Sequence, residues 1–308
     1  MLMVFIKNGN ALLPELEIYR KHFEQKGFCV KITGPSRDRR LEPAVEWHFM
    51  GSGGHRIYSR SVLVHEYASA SVPPFRLIKD QLKTYFNATP GLRIFLNEYV
   101  KSRFPFRDKV PYCFRDMGIP GKLLNDTGNS QEKVFDFISV GSMEPISYFN
   151  KLLEIFTKGS MRAKTLLVLT SEHEHMAEKW KQYPNIIFKG PVPHDEVFNY
   201  LRQSRYAINS RPPIEPFSRQ TSTRTLEYMA CRIPVISTES EWLKAFNIKY
   251  GGNYLILEPG LSNLEMKTVE DFEFSFPSME PLTWDNIIES SGIDLMLEKL
   301  LREKGYQI

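Results

Sequence analysis

The residues best suited to chemistry are three hydroxyls set between two guanidinium groups: Arg219, Thr221, Ser222, Thr223 and Arg224. The hydroxyls stand immediately before a segment of helical character, and the first turn of a helix offers backbone N–H groups without partners. Those N–H groups, the hydroxyls and the two cations would together suit a diphosphate. The residues alone leave a second interpretation equally open, in which the hydroxyls only cap the helix.

Strands and helices alternate around this cluster. Short apolar runs at residues 186–188, 206–208 and 234–238 predict buried strands, with a helix in each of the two intervals between them. Ligands of open parallel sheets bind at the carboxyl ends of the strands, which is also where the connecting helices begin. Residues 185–238 therefore predict half of a doubly wound sheet with an anion-binding edge.

The whole chain has the composition of a soluble globular protein. It has 308 residues, which suits two domains, with 42% hydrophobic and 25% charged residues. The formal net charge of +4 is small for this length and does not indicate nucleic-acid binding. Three distant cysteines form neither a disulfide framework nor a metal pattern, which favours a reducing, cytoplasmic compartment. No stretch is long enough to span a membrane, and the first residues lack the features of a signal peptide.

Two similar α/β halves are predicted. The N-terminal half begins with a strand at residues 2–6 and an amphipathic helix at residues 14–26, whose apolar face carries Leu16, Tyr19 and Phe23. Further strands are predicted at residues 29–33, 45–50 and 61–67. The expected fold class is α/β with two Rossmann-like doubly wound domains, at residues 1–120 and 134–283, joined by a linker at 121–133 and followed by closing helices at 284–308.

The stretch at residues 185–238 resembles the donor-binding half of the family 4 glycosyltransferases, which have the two-domain GT-B fold. The resemblance is carried by FKGPVPHDEV at residues 188–197, by TLEYMACRIPVIST at residues 225–238 and by the helix start QTSTR. It implies transfer of a hexose from a nucleotide-diphosphate sugar, of the UDP or GDP type, to a glycan or lipid-linked acceptor. It also implies retention of configuration, no metal, no separate cofactor, and a role in bacterial polysaccharide biosynthesis.

The resemblance also implies roles for individual residues. Glu227 corresponds to a glutamate that contacts the ribose of the donor. The residues implied for donor binding are Gly141, Ser142, Gly190, Pro191, Val192, Arg211, Thr221, Ser222, Thr223, Arg224 and Glu227. Acceptor binding is implied for Asn8, Gly9 and Asn10. The implied catalytic residues are His65, Glu215 and Arg219.

Two cations that the family commonly uses are absent from this sequence. Ser142 occupies the position of an arginine after the first strand of the second domain, and Ser147 lies about where a lysine would be. The guanidinium groups of Arg211, Arg219 and Arg224 are the available substitutes. The donor phosphates would therefore be held by a rearranged set of cations.

The paired glutamates of the family are incomplete as well. The first would lie eight positions before Glu227, where this sequence has Arg219. Glu215 is a nearby carboxylate, and its service as a surrogate is a hypothesis. The chain has no Asp-x-Asp pair, the manganese-binding motif of the other common glycosyltransferase architecture. Negative charge on the departing phosphate is therefore expected to be stabilised by cations and helix N–H groups.

Three other patterns have both a functional and a structural interpretation. The glycine-rich run at residues 51–54 lacks GxGxxG spacing and is interpreted as a turn instead of a dinucleotide site. The run EHEH at residues 172–175 has no third ligand at a suitable spacing and is interpreted as a solvated helix start instead of a metal site. His65 is interpreted as ending a strand, where it is either structural or, as the resemblance implies, facing the donor sugar.

Basic and apolar residues are interspersed between residues 75 and 109. Residues 75–86 predict a helix that has either one buried and one solvated face or a basic, aromatic-flanked surface for anionic lipid. A second helix is predicted over residues 92–104. Peripheral contact with the inner face of a membrane is therefore an open alternative.

The residues also leave two functions open besides glycosyl transfer. The missing cations and glutamate would fit a non-catalytic scaffold that binds a nucleotide or a partner enzyme. A nucleotide-sugar epimerase of the same fold would convert its donor without any acceptor. Product formation from a donor, with and without an acceptor, separates the three functions.

Overall fold

The computed structural model describes residues 1–7, 13–35, 38, 40–49, 56–72, 75–125, 132–143 and 146–307. The chain divides into two compact units, one formed by Met1–Met117 with Trp284–Ile308 and the other by Gly118–Thr283. The polypeptide therefore crosses between the units twice, and its last helices belong to the N-terminal unit.

Strands and helices alternate along much of the chain. The strands are β1 (Leu2–Lys7), β2 (Cys29–Thr33), β3 (Val45–Phe49), β4 (Val62–Tyr67), β5 (Leu92–Phe95), β6 (Tyr112–Phe114), β7 (Phe135–Val140), β8 (Leu166–Leu169), β9 (Ile186–Lys189), β10 (Ser204–Asn209), β11 (Val235–Thr238) and β12 (Leu255–Leu257). The helices are α1 (Pro14–Gln25), α2 (Arg76–Phe86), α3 (Glu98–Ser102), α4 (Lys122–Asn125), α5 (Ile146–Ile155), α6 (His173–Lys179), α7 (His194–Arg202), α8 (Thr223–Ala230), α9 (Glu241–Tyr250), α10 (Met266–Asp271), α11 (Trp284–Ser291) and α12 (Ile293–Glu303). Short 3₁₀ turns lie at Gly159–Ala163, Pro259–Leu261 and Glu280–Leu282.

The N-terminal unit is built on a parallel sheet with the strand order β2-β1-β3-β4-β5-β6. A hydrophobic core lies on the face covered by α1, where the rings of Tyr19 and Phe23 pack against Trp47 at centroid distances of 4.8 and 5.7 Å. The apolar face predicted for α1 is confirmed because Leu16, Tyr19 and Phe23 are all buried there. Helix α12 adds Ile293, Leu297 and Leu301 to the same core.

An ionic network is buried within this unit. The Arg115 guanidinium pairs with Glu66 on β4, and its Nη2 lies 3.5 Å from an oxygen of Glu15 on α1. Arg115 Nε donates to Tyr19 Oη at 3.1 Å, and Trp47 Nε1 donates to Glu66 at 2.9 Å. Buried charges persist only when they are paired and hydrogen-bonded, so this network ties β4, α1 and the residue after β6 together.

The second unit has its own parallel sheet, in the order β12-β11-β10-β7-β8-β9. The strands predicted at residues 186–188, 206–208 and 234–238 are confirmed as β9, β10 and β11. Continuous apolar runs identified them because both faces of a parallel sheet are covered by helices. Two parallel six-stranded sheets with flanking helices confirm the predicted pair of Rossmann-like units.

The helix predicted over residues 92–104 is wrong. That stretch contains strand β5, all four residues of which are buried between β4 and β6, and then the short helix α3. Asn97 separates the two elements because its side chain accepts a hydrogen bond from the Val100 N–H and so begins α3 as its N-cap. The predicted linker at residues 121–133 contains helix α4 and also residues 126–131, which lie outside the described residues.

The described helices include none that is both long enough and apolar enough to cross a membrane.

Candidate functional site

The second sheet reverses its direction of growth between β7 and β10. From β7 the chain adds β8 and β9 on one side, and it then adds β10, β11 and β12 on the other. The carboxyl edge at such a switch point is where doubly wound sheets bind ligands. Gly141 follows β7 directly, while Arg211 and the start of α8 follow β10, so three of the predicted donor-binding elements converge at this edge.

Arg224 in the first turn of α8 reaches across to the end of β7. A methyl group placed on Gly141 would lie 2.5 Å from Arg224 Nη2 and 3.1 Å from its Cζ, so the guanidinium rests directly on the glycine backbone. Gly141 has a φ of +101°, a conformation that residues with side chains rarely adopt. The buried Tyr228 hydroxyl accepts a hydrogen bond from the Val140 N–H at 3.0 Å and fixes α8 against β7.

Arg211 and Arg224 form a pair of cations that have no ion-pair partner in the part of the chain that the structure describes. Burial, followed by the nearby charge of Arg224, lowers the pKa of Arg211 to about 9. Burial also lowers the pKa of Arg224. Among the described residues, no carboxylate lies within ion-pair distance of either guanidinium, and the Arg211 guanidinium faces the ring of Phe217 at 5.4 Å. Two partly buried cations that repel each other are stabilised when an anion binds between them.

The Ser222 hydroxyl does not cap α8 as one sequence interpretation proposed. Ser222 occupies the N-cap position, but its side chain accepts no hydrogen bond from the backbone of the first turn. Its Oγ instead accepts a hydrogen bond from Thr225 Oγ1 at 2.8 Å. Thr221 and Thr223 flank it in half-buried positions. The Ser222 hydroxyl therefore leaves the N–H groups of the first turn available to an anion.

Polar side chains at the ends of β10 and β11 were missed in the sequence. Thr238 Oγ1 donates to the Arg211 carbonyl at 2.6 Å and accepts from the Arg211 N–H at 3.1 Å, which fixes the backbone of that arginine. Asn209 Nδ2 donates to Ser237 Oγ at 3.2 Å. Asn209 Oδ1 and Ser210 Oγ are buried without a hydrogen-bond partner among the described residues. The available signal was polar residues ending otherwise apolar strands, in AINS and VIST.

Glu227 is held in place by a histidine of the neighbouring helix. Its Oε1 lies 2.7 Å from Nε2 of His194, the first residue of α7. The hydrogen bond to the Glu227 carboxylate is the main reason that the pKa of His194 is raised above its ordinary value. The contact joins α8 to the turn that carries Pro191 and Val192, and no pattern in the sequence indicated it.

Gly190, before that turn, packs against the ring of His173. A methyl group at Gly190 would lie 2.7 Å from His173 Cε1. In the part of the chain that the structure describes, no three histidine, cysteine or acidic side chains are grouped as metal ligands. His173 therefore has a packing contact at the base of the turn.

Arg219 and Glu215 lie together at the surface of the second unit. Arg219 Nε is 2.8 Å from Glu241 on α9, and Arg219 Nη1 is 3.5 Å from Glu215. Two carboxylates thus balance the Arg219 charge, whereas Arg211 and Arg224 have no such partner among the described residues. This placement does not support Arg219 as the substitute for the missing phosphate-binding cations. Ser142 is an exposed residue directly after Gly141.

His65 lies within its strand and not at the strand end, which corrects the interpretation that it stands at the edge of the sheet. Strand β4 continues to Tyr67, and the His65 side chain is 1% exposed within the sheet of the N-terminal unit. The ring of His48 on β3 lies 5.5 Å away, and Arg93 is its partner on β5. Burial, with the charges of His48 and Arg93, lowers the pKa of His65 to about 3. The predicted acceptor residues Asn8, Gly9 and Asn10 lie outside the described residues.

Comparisons with known proteins agree with this geometry. Residues 156–250 match the family model described as glycosyl transferase-like. No curated protein sequence is detectably similar to the chain.

Several solved structures share the fold over almost the whole length of both chains. HepE from Anabaena, solved with UDP-glucose, has a TM-score of 0.58 at 14% identity and covers 99% of this chain and 98% of its own. AviGT4, a glycosyltransferase of avilamycin A biosynthesis, has a TM-score of 0.55 at 11% identity, with coverages of 99% and 97%. The trehalose 6-phosphate synthase of Burkholderia multivorans has a TM-score of 0.58 at 9% identity, with coverages of 98% and 98%.

The match of residues 156–250 includes most of the edge that carries Arg211 and Arg224, and the whole chain has the fold of the GT-B glycosyltransferases.

Proposed function

We propose that this protein is a glycosyltransferase that takes its sugar from a nucleotide-diphosphate donor. The observation that carries the proposal is the unpaired cations Arg211 and Arg224 beside the start of α8, at the switch point of the second sheet in the described part of the chain. A diphosphate supplies the two negative charges that this arrangement lacks. The glycosyl transferase-like match over residues 156–250 supports the same conclusion.

The chemical role of the pair follows from where charge develops during transfer. The bond between the anomeric carbon and the diphosphate oxygen breaks, and negative charge accumulates on the departing phosphate. Preorganised donors lower the barrier most when they face that developing charge in a site with little water. The Arg211 backbone is fixed by Thr238 and the Arg224 side chain rests on Gly141, so neither cation must reorganise over a large distance.

Several finer features belong to the same proposal. UDP is the first nucleotide to test because HepE, which shares the fold, was solved with UDP-glucose. GDP is the alternative. A glycan or lipid-linked acceptor, retention of configuration and independence from metal are proposed from the family resemblance. Action in the cytoplasm and a role in polysaccharide biosynthesis complete the proposal. His65 is left out of the catalytic set because its ring is enclosed by the sheet.

Calorimetric titration with UDP, GDP and their hexose conjugates tests the proposal directly. Arg224→Ala and Arg211→Ala each remove charge-assisted hydrogen bonds worth about 1.5–3 kcal/mol, so each should weaken nucleotide binding by roughly 10- to 150-fold. Arg219→Ala should change the affinity less than about threefold, since this surface arginine is already paired. Arg205→Ala, at another exposed arginine of the same unit, serves as the matched control.

Turnover of the preferred donor then separates the remaining functions. Transfer to an acceptor supports the glycosyltransferase. Tight binding of a nucleotide without product would instead indicate a scaffold, and conversion of the donor without acceptor would indicate an epimerase. Equal loss of affinity in Arg219→Ala and Arg224→Ala would contradict the assignment of the site.

A further inference from the structure

Helix α2 of the N-terminal unit is packed with its polar side inward. Asp80 is its buried residue, and the Asp80 carboxylate accepts hydrogen bonds from the Ser71 N–H at 3.0 Å and from Arg103 Nε at 3.2 Å. Thr84 lies half-buried one turn further along the same side. The protein therefore holds this helix through an ion pair and hydrogen bonds, and not through an apolar stripe, the usual contact of an amphipathic helix.

The apolar side of α2 faces outward as a consequence. Ile78, Tyr85 and Phe86 are 55%, 70% and 72% exposed. Of the sixteen large hydrophobic side chains that are exposed in the described part of the chain, seven lie within residues 72–86: Val72, Phe75, Leu77, Ile78, Leu82, Tyr85 and Phe86. The others are dispersed along the chain. A concentration of this kind marks an interaction surface, whereas isolated exposed apolar residues do not.

A longer segment that includes α2, residues 72–112, has an excess of positive charge. Between residues 72 and 112 there are eight basic and three acidic residues, while the whole chain has a net charge of only +4. Two of those acids are already paired, Asp80 with Arg103 and Asp108 with Arg93. Helix α2 itself carries Arg76, Lys79 and Lys83, and the other basic residues of the segment follow it in the sequence. The outward face of α2 is thus apolar at its centre and set in a basic segment.

A pocket partly lined by cations lies in the same unit as α2. The Asn87 side chain, directly after α2, donates to Tyr67 at 3.3 Å, and the Tyr67 ring packs on Phe104 at 4.5 Å. Phe104 lines a pocket of about 460 Å³ whose wall also includes the cations Lys101 and Lys109. The N-terminal unit therefore also has a concave region partly lined by cations, and the buried rings of Tyr67 and Phe104 connect it to the end of α2.

We propose that this face, defined as the outward side of α2 with its flanking basic residues, docks on an anionic lipid bilayer. Apolar side chains enter the boundary between headgroups and acyl chains while the cations contact the anionic headgroups. The eleven residues of α2 are too few to span a bilayer, so the helix lies in the plane of the interface. A second copy of the chain is a poorer occupant, because two identical basic faces repel each other. The proposal does not depend on sugar transfer by the second unit.

Flotation of the full chain with lipid vesicles tests this surface. Wild-type protein should bind vesicles made of equal parts phosphatidylglycerol and phosphatidylcholine and should bind pure phosphatidylcholine at least about tenfold more weakly. Raising the salt from about 0.1 M to about 0.5 M should weaken the anionic binding, because it shortens the screening length. Binding that is equal on both vesicle types, or absent from both, would overturn the proposal.

Three variants localise the contact. Ile78→Ser and Phe86→Ser change side chains that face solvent, so the fold is retained, and each should lower the partition coefficient about tenfold or more. Lys79→Glu reverses one charge and should lower it by about 25-fold, twice the free-energy effect of removing one cation. Leu295→Ser is the matched control, since Leu295 is 74% exposed on α12 of the same unit but lies outside the patch, and it should bind as the wild type does.

Two results would refute the assignment even if lipid binding is observed. In the first, the α2 variants and the Leu295→Ser control bind anionic vesicles with the same affinity as the wild type. In the second, light scattering shows a dimer in solution that Phe86→Ser dissociates, which would make the face a contact between copies. Nucleotide titration of the same variants should be unchanged, so failure here is distinguishable from failure of the proposed donor site.

Discussion

Replacing Gly141 with alanine should disable the candidate donor site without unfolding the protein. The added methyl group would lie 2.5 Å from Arg224 Nη2, a separation that real methyl groups do not tolerate. The colliding atom is the far end of a flexible side chain, so the guanidinium can move away instead of the backbone. We therefore expect Arg224 to leave its position at the end of β7 while α8 remains in place.

The cost to stability comes from the backbone, not from the collision. Gly141 has a φ of +101°, and an alanine in a left-handed conformation costs roughly 1–2 kcal/mol. Gly260 provides the control because its φ is +79° and no atom lies within 4 Å of an added methyl group. Urea unfolding should therefore show losses of about 1–2 kcal/mol for both Gly141→Ala and Gly260→Ala.

Nucleotide binding should separate the two glycine variants. Displacement of Arg224 removes the same charge-assisted contacts as Arg224→Ala, so Gly141→Ala should weaken UDP binding by roughly 10- to 150-fold, while Gly260→Ala should not. Adding Gly141→Ala to Arg224→Ala should cause little further loss, because both changes act on one contact. Additive losses in the double variant, or wild-type affinity in Gly141→Ala, would refute the reasoning.

Two further predictions concern the N-terminal unit. The folded-state pKa of His65 lies below its unfolded value, so its contribution to stability is present above about pH 6.5 and is lost as the pH falls toward 3. His65→Leu should therefore flatten the fall in unfolding free energy below pH 6 by up to about 1.4 kcal/mol per pH unit, measured by urea titrations at successive pH values; an unchanged slope would contradict it. Arg115→Ala should cost about 3–5 kcal/mol because it leaves Glu66 buried without its partner, whereas Arg115→Met with Glu66→Gln should recover part of that loss. Equal unfolding free energies for Arg115→Ala and the exposed Arg205→Ala would show that the network is not coupled.

Local sequence determined the elements of the second unit. Parallel strands covered on both faces require continuous apolar runs, and those runs placed β9, β10 and β11 within a residue or two. Hydroxyls before an apolar, helix-forming segment located the start of α8 at Thr223. The prediction of a helix over residues 92–104 was wrong because the length and apolar content of this stretch fit a helix as well as a buried strand followed by a short helix. Pairing with the neighbouring strands β4 and β6, which the local sequence does not show, stabilises the strand β5 at this position.

Tertiary structure alone decided which of the charged residues are brought together at the candidate site. Three arginines were equivalent in the sequence, but Glu241 from α9 balances Arg219, while Arg211 and Arg224 meet without an ion-paired carboxylate among the described residues. His65 was interpreted as lying at a strand end, but it pairs with His48 on β3 and with Arg93 on β5, and its side chain is buried within the sheet.

The sequence likewise did not predict which side of α2 faces inward or which unit α12 packs against. Periodicity shows that a helix has two faces, but it does not show which face is inward, and the Asp80–Arg103 pair turned the apolar face of α2 outward. The apolar side of α12 predicts that the helix packs on a hydrophobic core, but only the structure shows that this is the core of the N-terminal unit. The sequence by itself determined most strands and the starts of helices such as α8, because these depend on residues close together in the chain. The pairing of charges and the facing of helices depend on residues distant in the chain, so only the folded structure decided them.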